Sequence, residues 1–383
     1  MKRIVIVTVA AVLATIQPQP TQAGSFPDML TTGFSRVADS VGDTVSAIPR
    51  PSLDAVSLPH ISLPEVNFSL LEPDFDNRKP CCDTRCPEFW EHRNGVIGEF
   101  LLISANGVDM PYAEPVDGTI ATAIPTGSIA TIDPDHSAGF RVGATMAIDS
   151  CSSFAATFTN FQSHTTHNAE LPGGTGFLRA LTTHPSTVNV LADSLESSAD
   201  YDIDFRQFDL DYRSILCGNE NYVINYVLGF RYAHLDQDFS GDYIILGATN
   251  VTTDLDFDGI GPRLGFEGAK LLGCGFLLYS KASANFLVGD FNGDYRQTNI
   301  FSGTQAVSGV EDDRIVSVLE WEFGMGWESC CGGFRATAGY YVAAWFNTLT
   351  TPEFIRGVQT SDYDDMSGSL SFDGLTIRTE IRF

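Results

Sequence analysis

Residues 375–383 read LTIRTEIRF, and they place two kinds of side chain on alternate positions. Leu, Ile, Thr, Ile and Phe fill the odd-numbered positions, whereas Thr, Arg, Glu and Arg fill the even-numbered ones. Because side chains of a strand alternate between two faces, one face is mainly apolar and the other polar. A polar row of this kind suits a wet barrel interior, with the apolar row against lipid. The stretch therefore predicts a transmembrane strand, and its terminal Phe383 is the expected signal to the barrel-assembly machinery.

Working back from this strand, the same alternation recurs over most of the chain. The strand candidates are 96–105, 137–149, 153–162, 199–216, 221–239, 254–272, 275–292, 314–329, 334–349 and 368–383. An even number of strands places both ends of a single-chain barrel on the same side of the membrane. We therefore predict an all-β, antiparallel up-and-down transmembrane barrel of about ten strands over residues 96–383. A weak alternation over 116–132 leaves twelve strands as the alternative.

The predicted connections alternate between short and long, as in barrels with periplasmic turns and outer loops. The short ones lie near 150–152, 217–220, 273–274 and 330–333, and the long ones span 106–136, 163–198, 240–253, 293–313 and 350–367. One candidate strand changes phase: Tyr201, Ile203 and Phe205 are odd-numbered, but the apolar positions from Phe208 onward are even-numbered. An extra residue in a strand shifts its phase, so we predict a β-bulge near Arg206-Gln207.

The first residues carry an export signal. Lys2 and Arg3 precede an apolar run over 4–16, and small residues follow up to Ala23, which is typical of a signal peptide. We place the signal peptide at 1–23. Residues 24–95 then combine an apolar repeat of three and four positions with many prolines, which predicts a helix and a Pro-rich periplasmic linker. The sequence leaves open whether this segment is a tether or an ordered plug.

Composition limits the partners and the chemistry. The chain is 43% hydrophobic and 18% charged, yet it lacks the run of about 18 apolar residues that a membrane helix needs. A net charge of −26 would repel phosphates, so no nucleic-acid partner is expected. No phosphate-binding, dinucleotide or hydrolase motif is present, so we expect neither an enzyme nor a cofactor. The pair His164 and His167, and the alternating Asp254, Asp256 and Asp258, are weak metal candidates that we interpret as solvated outer groups.

All eight cysteines fall at predicted periplasmic turns or just before the first strand: Cys81, Cys82, Cys86, Cys151, Cys217, Cys274, Cys330 and Cys331. We predict a disulfide-stapled rim, because an exported protein allows disulfides. The pairing cannot be deduced from sequence. Metal binding by the first three cysteines and unpaired turn thiols are the alternatives.

Charged residues of both signs fall on the predicted inner face: Arg141, Arg213, Arg231, Arg263, Glu267, Glu320, Glu322, Arg335, Arg378, Glu380 and Arg382. Such a lining keeps a lumen wet and suits diffusion of small solutes or ions. The alternative is that these charges pair and fill a closed barrel, since large open channels are associated with 16–18 strands.

Several segments together resemble a known family. They are GIGPRLGF at 259–266, LGCGF at 272–276, LEWEFGMGW at 319–327, YYVAAWFN at 340–347 and the final strand from Leu370, with His184-Pro185 and ADYDID at 199–204 in support. They resemble the pore-forming outer-membrane proteins of the Legionella major outer-membrane protein family and its planctomycete relatives. The resemblance covers about 95–383. It implies an outer-membrane barrel with a porin-like role, and it supplies no catalytic residues.

We therefore expect a bacterial outer-membrane protein in contact with membrane lipid that lets small hydrophilic solutes diffuse. A homo-oligomer is compatible with the sequence but not encoded visibly. The alternative is a structural or surface-binding barrel with a plugged lumen and an envelope-anchoring linker.

Overall fold

The computed structural model describes residues 88–119, 122–171, 176–187, 193–244, 247–363 and 366–383. The predicted signal peptide, nearly all of the predicted N-terminal segment, and Cys81, Cys82 and Cys86 lie outside the described residues. The elements in chain order are β1 (Gly95–Asn106), β2 (Met110–Val116), β3 (Ala130–Ile132), β4 (Ser137–Asp149), β5 (Ser152–Ala169), β6 (Phe177–Ala180), β7 (Asp193–Ser194), β8 (Glu196–Asn219), β9 (Tyr222–Ile244), β10 (Ala248–Gly273), β11 (Phe276–Asn299), β12 (Gly303–Glu328), β13 (Phe334–Thr348), α1 (Thr351–Thr360) and β14 (Gly368–Arg382).

Ten of these strands form a closed antiparallel barrel in the order β1-β14-β13-β12-β11-β10-β9-β8-β5-β4. The ring closes because β1 pairs with β14 on one side and with β4 on the other. The remaining strands form a separate sheet in the order β3-β2-β6-β7. The ten-strand prediction is thus confirmed, and the twelve-strand alternative is wrong because the 116–132 segment pairs outside the barrel.

Strands β8 to β12 are 23 to 26 residues long. A strand crosses a bilayer with about 9–11 residues, so these five continue well past a hydrocarbon layer. Much of the predicted outer loops 240–253 and 293–313 is therefore strand. The sequence predicted loops there because the side chains on each face of these strands change between apolar and polar.

The outer wall changes from apolar to acidic along each long strand. On β9 the outward Tyr222, Leu228, Phe230 and Tyr232 are exposed apolar side chains, and the next outward positions begin with His234. Aspartates follow on this face of β9 and on the outward positions of β8 and β10. The apolar band lies next to the short turns, which identifies that end as the periplasmic one.

The inner wall changes in the opposite sense at about the same height. Arg231 points inward within the apolar band, but Leu235, Phe239 and Tyr243 further along β9 are buried apolar residues. Above the band the barrel therefore has a water-facing outside and a dry inside, as a soluble barrel does. Membrane and soluble patterns share the same period of two, but they place apolar side chains on opposite faces.

This inversion explains the phase change in β8 without a bulge. The pairing of β8 with β9 runs in continuous register from Glu196 to Ile215, so the bulge predicted near Arg206-Gln207 is wrong. Tyr201 and Phe205 are buried in the dry interior, whereas Phe208 and Leu210 are exposed on the outer apolar band. The apolar residues change face because the surroundings change.

The small sheet and α1 fill the extracellular end of the barrel interior. Helix α1 begins with Pro352 in its first turn, where a missing N–H costs nothing, and ends at Ser361 in the left-handed region, φ 55°. It buries Phe354, Ile355 and Val358 in the common core. No helix of the described residues is long and apolar enough to cross a membrane.

Candidate functional site: the interior of the barrel

The predicted lining residues all lie on the inner wall. Arg141, Arg231, Glu320, Glu322 and Arg382 are buried, and the other six are partly buried or take part in inward ion pairs. They are not spread along an open channel. They form ion-pair clusters at successive heights, and these clusters show what occupies the interior.

The central cluster is built on Arg231, which is 1% exposed. Its Nε and Nη2 donate to the two carboxylate oxygens of Asp209 at 2.6 and 2.7 Å, and its Nη1 donates to Glu320 at 2.6 Å. A bidentate arginine–carboxylate pair is strong and geometrically specific. These contacts join β8, β9 and β12 across the interior.

Glu320 is the acceptor on which this cluster converges. Besides Arg231, its oxygens accept hydrogen bonds from Arg263 Nη1 at 2.8 Å, from the Tyr341 hydroxyl at 2.7 Å and from the Ser283 hydroxyl at 2.9 Å. Arg263 also lies 3.4 Å from Asp211. A buried carboxylate is stable only when its oxygens are paired, and this one is fully occupied.

A second cluster lies beside it. Arg141 Nη1 donates to Glu99 at 3.0 Å and lies 3.8 Å from Glu322, which accepts from Lys281 at 2.9 Å. The guanidinium of Arg141 also lies 5.5 Å from the Tyr341 ring centroid, a cation–π contact. Glu99 was missed among the candidates, although it shares its face of β1 with the buried Ile97 and Leu101.

The third cluster lies at the periplasmic end of the barrel. Glu328 accepts from Arg335 at 2.6 Å, and Arg382 lies 2.6 Å from its other oxygen. Residues 89–93 lie across the mouth, and His92 contacts the Ser153 hydroxyl at 2.7 Å. Arg93 donates to the backbone oxygen of Cys331 at 2.8 Å, which ties this segment to the turn between β12 and β13.

Above the ion pairs the interior is apolar and filled. Large side chains with zero or near-zero exposure meet there, including Trp345, Phe161, Phe205, Phe257 and Phe372. Phe205 and Phe372 pack edge to face with their ring centroids 4.7 Å apart. The described residues therefore leave no continuous water path along this part of the barrel.

Hydrogen bonds fasten the plugging elements to the wall. Gln237 Nε2 on β9 donates to the Leu349 carbonyl at 3.0 Å, and Tyr243 donates to the Tyr112 carbonyl at 2.9 Å. Within the plug, Gln359 on α1 donates to the carbonyl oxygens of Leu181 and Thr183, which follow β6, at 2.6 and 3.1 Å. Side chains, and not strand pairing, thus hold the plug in the barrel.

The described cysteines differ in their bonding state. Cys274 and Cys331 are disulfide-bonded, but Cys151 and Cys217 are exposed free thiols. The predicted rim staple therefore does not include Cys151 and Cys217. The rest of the predicted pairing stays a prediction.

The outer wall carries an acidic belt, which we define as Asp202, Asp238, Asp254 and Asp294, in register across β8 to β11. Burial, followed by the neighbouring carboxylates, raises the pKa of Asp238 to about 7. Oxygen or nitrogen atoms of His234, Asp236 and Asp256 lie within 4.8 Å of one another, close enough to share a cation. Asp254, Asp256 and Asp258 lie on β10, and His164 and His167 lie on β5 and not in a loop.

A closed antiparallel ring with an outer apolar band and a charged interior defines an outer-membrane β-barrel. The family model described as Legionella pneumophila major outer membrane protein precursor matches residues 101–383. The chain belongs to this family and is an outer-membrane protein, which confirms the resemblance seen in the sequence.

Two solved structures are similar to this chain at low sequence identity. The outer-membrane protease OmpT from Escherichia coli is 11% identical, with a TM-score of 0.42, over 79% of this chain and 100% of that one. The Pseudomonas putida toluene transporter TodX is 10% identical, with a TM-score of 0.29, over 76% and 90%. No curated protein matches the chain.

Proposed function

We propose that this protein is a structural, surface-presenting outer-membrane barrel whose resting lumen is closed. The single observation that carries the proposal is the dry aromatic core that fills the interior above the charged layer. A diffusion pore needs a continuous wet path, and the aromatic core interrupts it.

The energetics support a closed resting state. Fully burying one large apolar side chain contributes about 1.5–3 kcal/mol, and the plug and upper wall bury many. An open lumen would return these side chains to water. The central ion-pair cluster gives little room to solutes either, because the carboxylate of Glu320 is already occupied by two arginines.

The outer surface supports the proposed surface-presenting role. Strands β8 to β12 extend beyond the membrane, and β8 to β11 carry the acidic belt outside it. A rigid, negatively charged collar of this kind suits a protein that presents a surface or reinforces the envelope. In the same proposal the N-terminal segment 24–95, with its Pro-rich linker, anchors the barrel to periplasmic envelope material.

Porin-like diffusion is the second candidate. The observation that favours it is the lining of both charge signs within the apolar band, which a purely structural barrel does not need. For a pore to open, the plug must leave the barrel, and its side-chain hydrogen bonds to the wall would break without loss of any barrel strand pairing. Small hydrophilic solutes or ions would be the cargo.

Single-channel recording in planar bilayers separates the two candidates. We expect purified full-length protein to stay electrically silent. Steady unitary conductance from the unmodified protein would contradict the closed barrel and favour the porin.

Cells that lack the protein should become sensitive to detergent while their uptake of small sugars is unchanged, whereas loss of a porin slows the uptake. Retention of full-length protein, but not of protein without 24–87, on cell-wall material tests the anchor.

A further inference from the structure

A cavity of about 120 Å³ lies in the periplasmic half of the interior, between residues 89–93 and the inner wall. Six basic side chains line it: Arg93, Arg213, Lys281, Arg335, Arg378 and Arg382. Three acidic side chains share the lining: Glu91, Glu267 and Glu380. A protein with a net charge of −26 thus concentrates positive charge in one cavity.

The carboxylates behind the lining do not fully pair these cations. Glu322 pairs with Lys281 at 2.9 Å. Among the described residues, the carboxylate of Glu328 lies 2.6 Å from both Arg335 and Arg382 and 4.0 Å from Arg93. Three guanidinium groups therefore converge on one carboxylate, and its oxygens cannot satisfy all of their donors.

Arg378 makes no short ion pair with any described residue of the cavity. Its nearest carboxylates are Glu380 at 3.9 Å and Glu99 at 4.0 Å, which are long for charged hydrogen bonds of about 2.7–2.9 Å. Glu99 is already bound to Arg141 at 3.0 Å. The Arg378 side chain is 13% exposed, so bulk water offers it little compensation.

Buried donor atoms without a partner surround the same space. Arg382, with 8% of its surface exposed, has an Nε that makes no hydrogen bond within the described part of the chain. The Nε atoms of Arg93 and Arg213 are also buried and without a hydrogen bond to any described residue. Unpaired buried donors cost free energy, and donors of this geometry match an oxyanion.

We propose that this cavity is a binding site for a small tetrahedral oxyanion of the phosphate class. Several oxygens on one centre satisfy converging guanidinium donors that single carboxylates leave unpaired. The site lies on the periplasmic side, so its ligand is a free anion and not a lipid head group of the outer wall. The inference is independent of whether the lumen opens.

Inorganic phosphate titrated into the folded full-length protein, with binding followed by calorimetry at low ionic strength, tests the site. We expect one saturable site, and Arg378→Gln should weaken it about 10- to 100-fold, since a hydrogen bond to a charged group is worth about 1.5–3 kcal/mol. Arg206→Gln is the matched control, because Arg206 is exposed on the outer wall. The phosphate affinity of this variant should equal that of the unmodified protein.

A variant that is expected to bind phosphate more tightly distinguishes the loss of a ligand contact from misfolding. Glu91→Gln removes a carboxylate from the cavity without touching a barrel strand, so it should bind phosphate more tightly. Sulfate should displace phosphate, and chloride at equal ionic strength should not. Absence of saturable binding, equal losses in Arg378→Gln and Arg206→Gln, unchanged or weaker binding by Glu91→Gln, or equal displacement by chloride would each overturn the proposal.

Discussion

Glu320→Gln should destabilise the barrel strongly, although it changes one atom of one side chain. Glu320 is 8% exposed and accepts from Arg231, Arg263, Tyr341 and Ser283 at 2.6 to 2.9 Å. The amide replaces one acceptor oxygen with a donor and removes the charge that balances two arginines. Asp209 then remains as the nearest common carboxylate for both guanidinium groups.

The expected cost follows from this geometry. Removal of one partner from a buried ion pair costs about 3–5 kcal/mol, because the other charge stays buried without compensation. Asp209 and Asp211 still neutralise part of the charge, so we expect the lower end, about 3 kcal/mol in the free energy of unfolding. That is about a hundredfold change in the unfolding equilibrium constant.

Urea-induced unfolding in lipid vesicles measures this change. Glu311→Gln is the matched control, because Glu311 lies on the same strand but is exposed, and we expect an effect within about 0.5 kcal/mol. A loss below about 1 kcal/mol for Glu320→Gln would refute the reasoning, since it would mean that water or counterions reach the central cluster.

Three further predictions probe the two walls. Trp345→Ala should cost about 3–5 kcal/mol in the same unfolding assay because Trp345 is fully buried, whereas Trp321→Ala, 53% exposed on the lipid-facing wall, should cost less; equal costs would contradict the dry core. Leu264→Arg, which places a charge on the outer apolar band, should cost up to about 2–4 kcal/mol, and a neutral result would contradict the position of the band. Asp238 has a pKa of about 7 in the fold and about 3.9 when unfolded, so the free energy of unfolding should fall as pH rises from about 4 to 7. The urea midpoint at low salt should therefore be higher at pH 5 than at pH 7.5, and Asp238→Asn should reduce this difference.

The sequence predicted the closed barrel because the period of two survives along nearly every strand. Residues 375–383 show it most clearly, and they pair with both β1 and β13 as barrel strands do. The inward positions of Arg231 and Glu320 follow from the same period. Periodicity alone was therefore enough to place charged residues on the inner wall.

The sequence did not reveal where the outside of the barrel changes from lipid to water. Tyr201 and Phe208 both continue an apolar alternation, but they point to opposite faces. If one solvent surrounded the whole strand, this change of face would require an extra residue, which is why the sequence predicted a bulge near Arg206-Gln207. The plug was also hidden, because Gln359 and Leu181 are 178 residues apart in sequence.

The central claim is that the inner wall of the upper barrel is dry, and cysteine accessibility along β9 tests it most directly. In folded protein in vesicles, without the exposed thiols Cys151 and Cys217, single cysteines at Leu235, Asp236, Asp238 and Phe239 would be treated with a hydrophilic maleimide. The account predicts rapid labelling at Asp236 and Asp238, and none at Leu235 and Phe239. Rapid labelling at Leu235 and Phe239 would show a water-filled lumen and contradict the account.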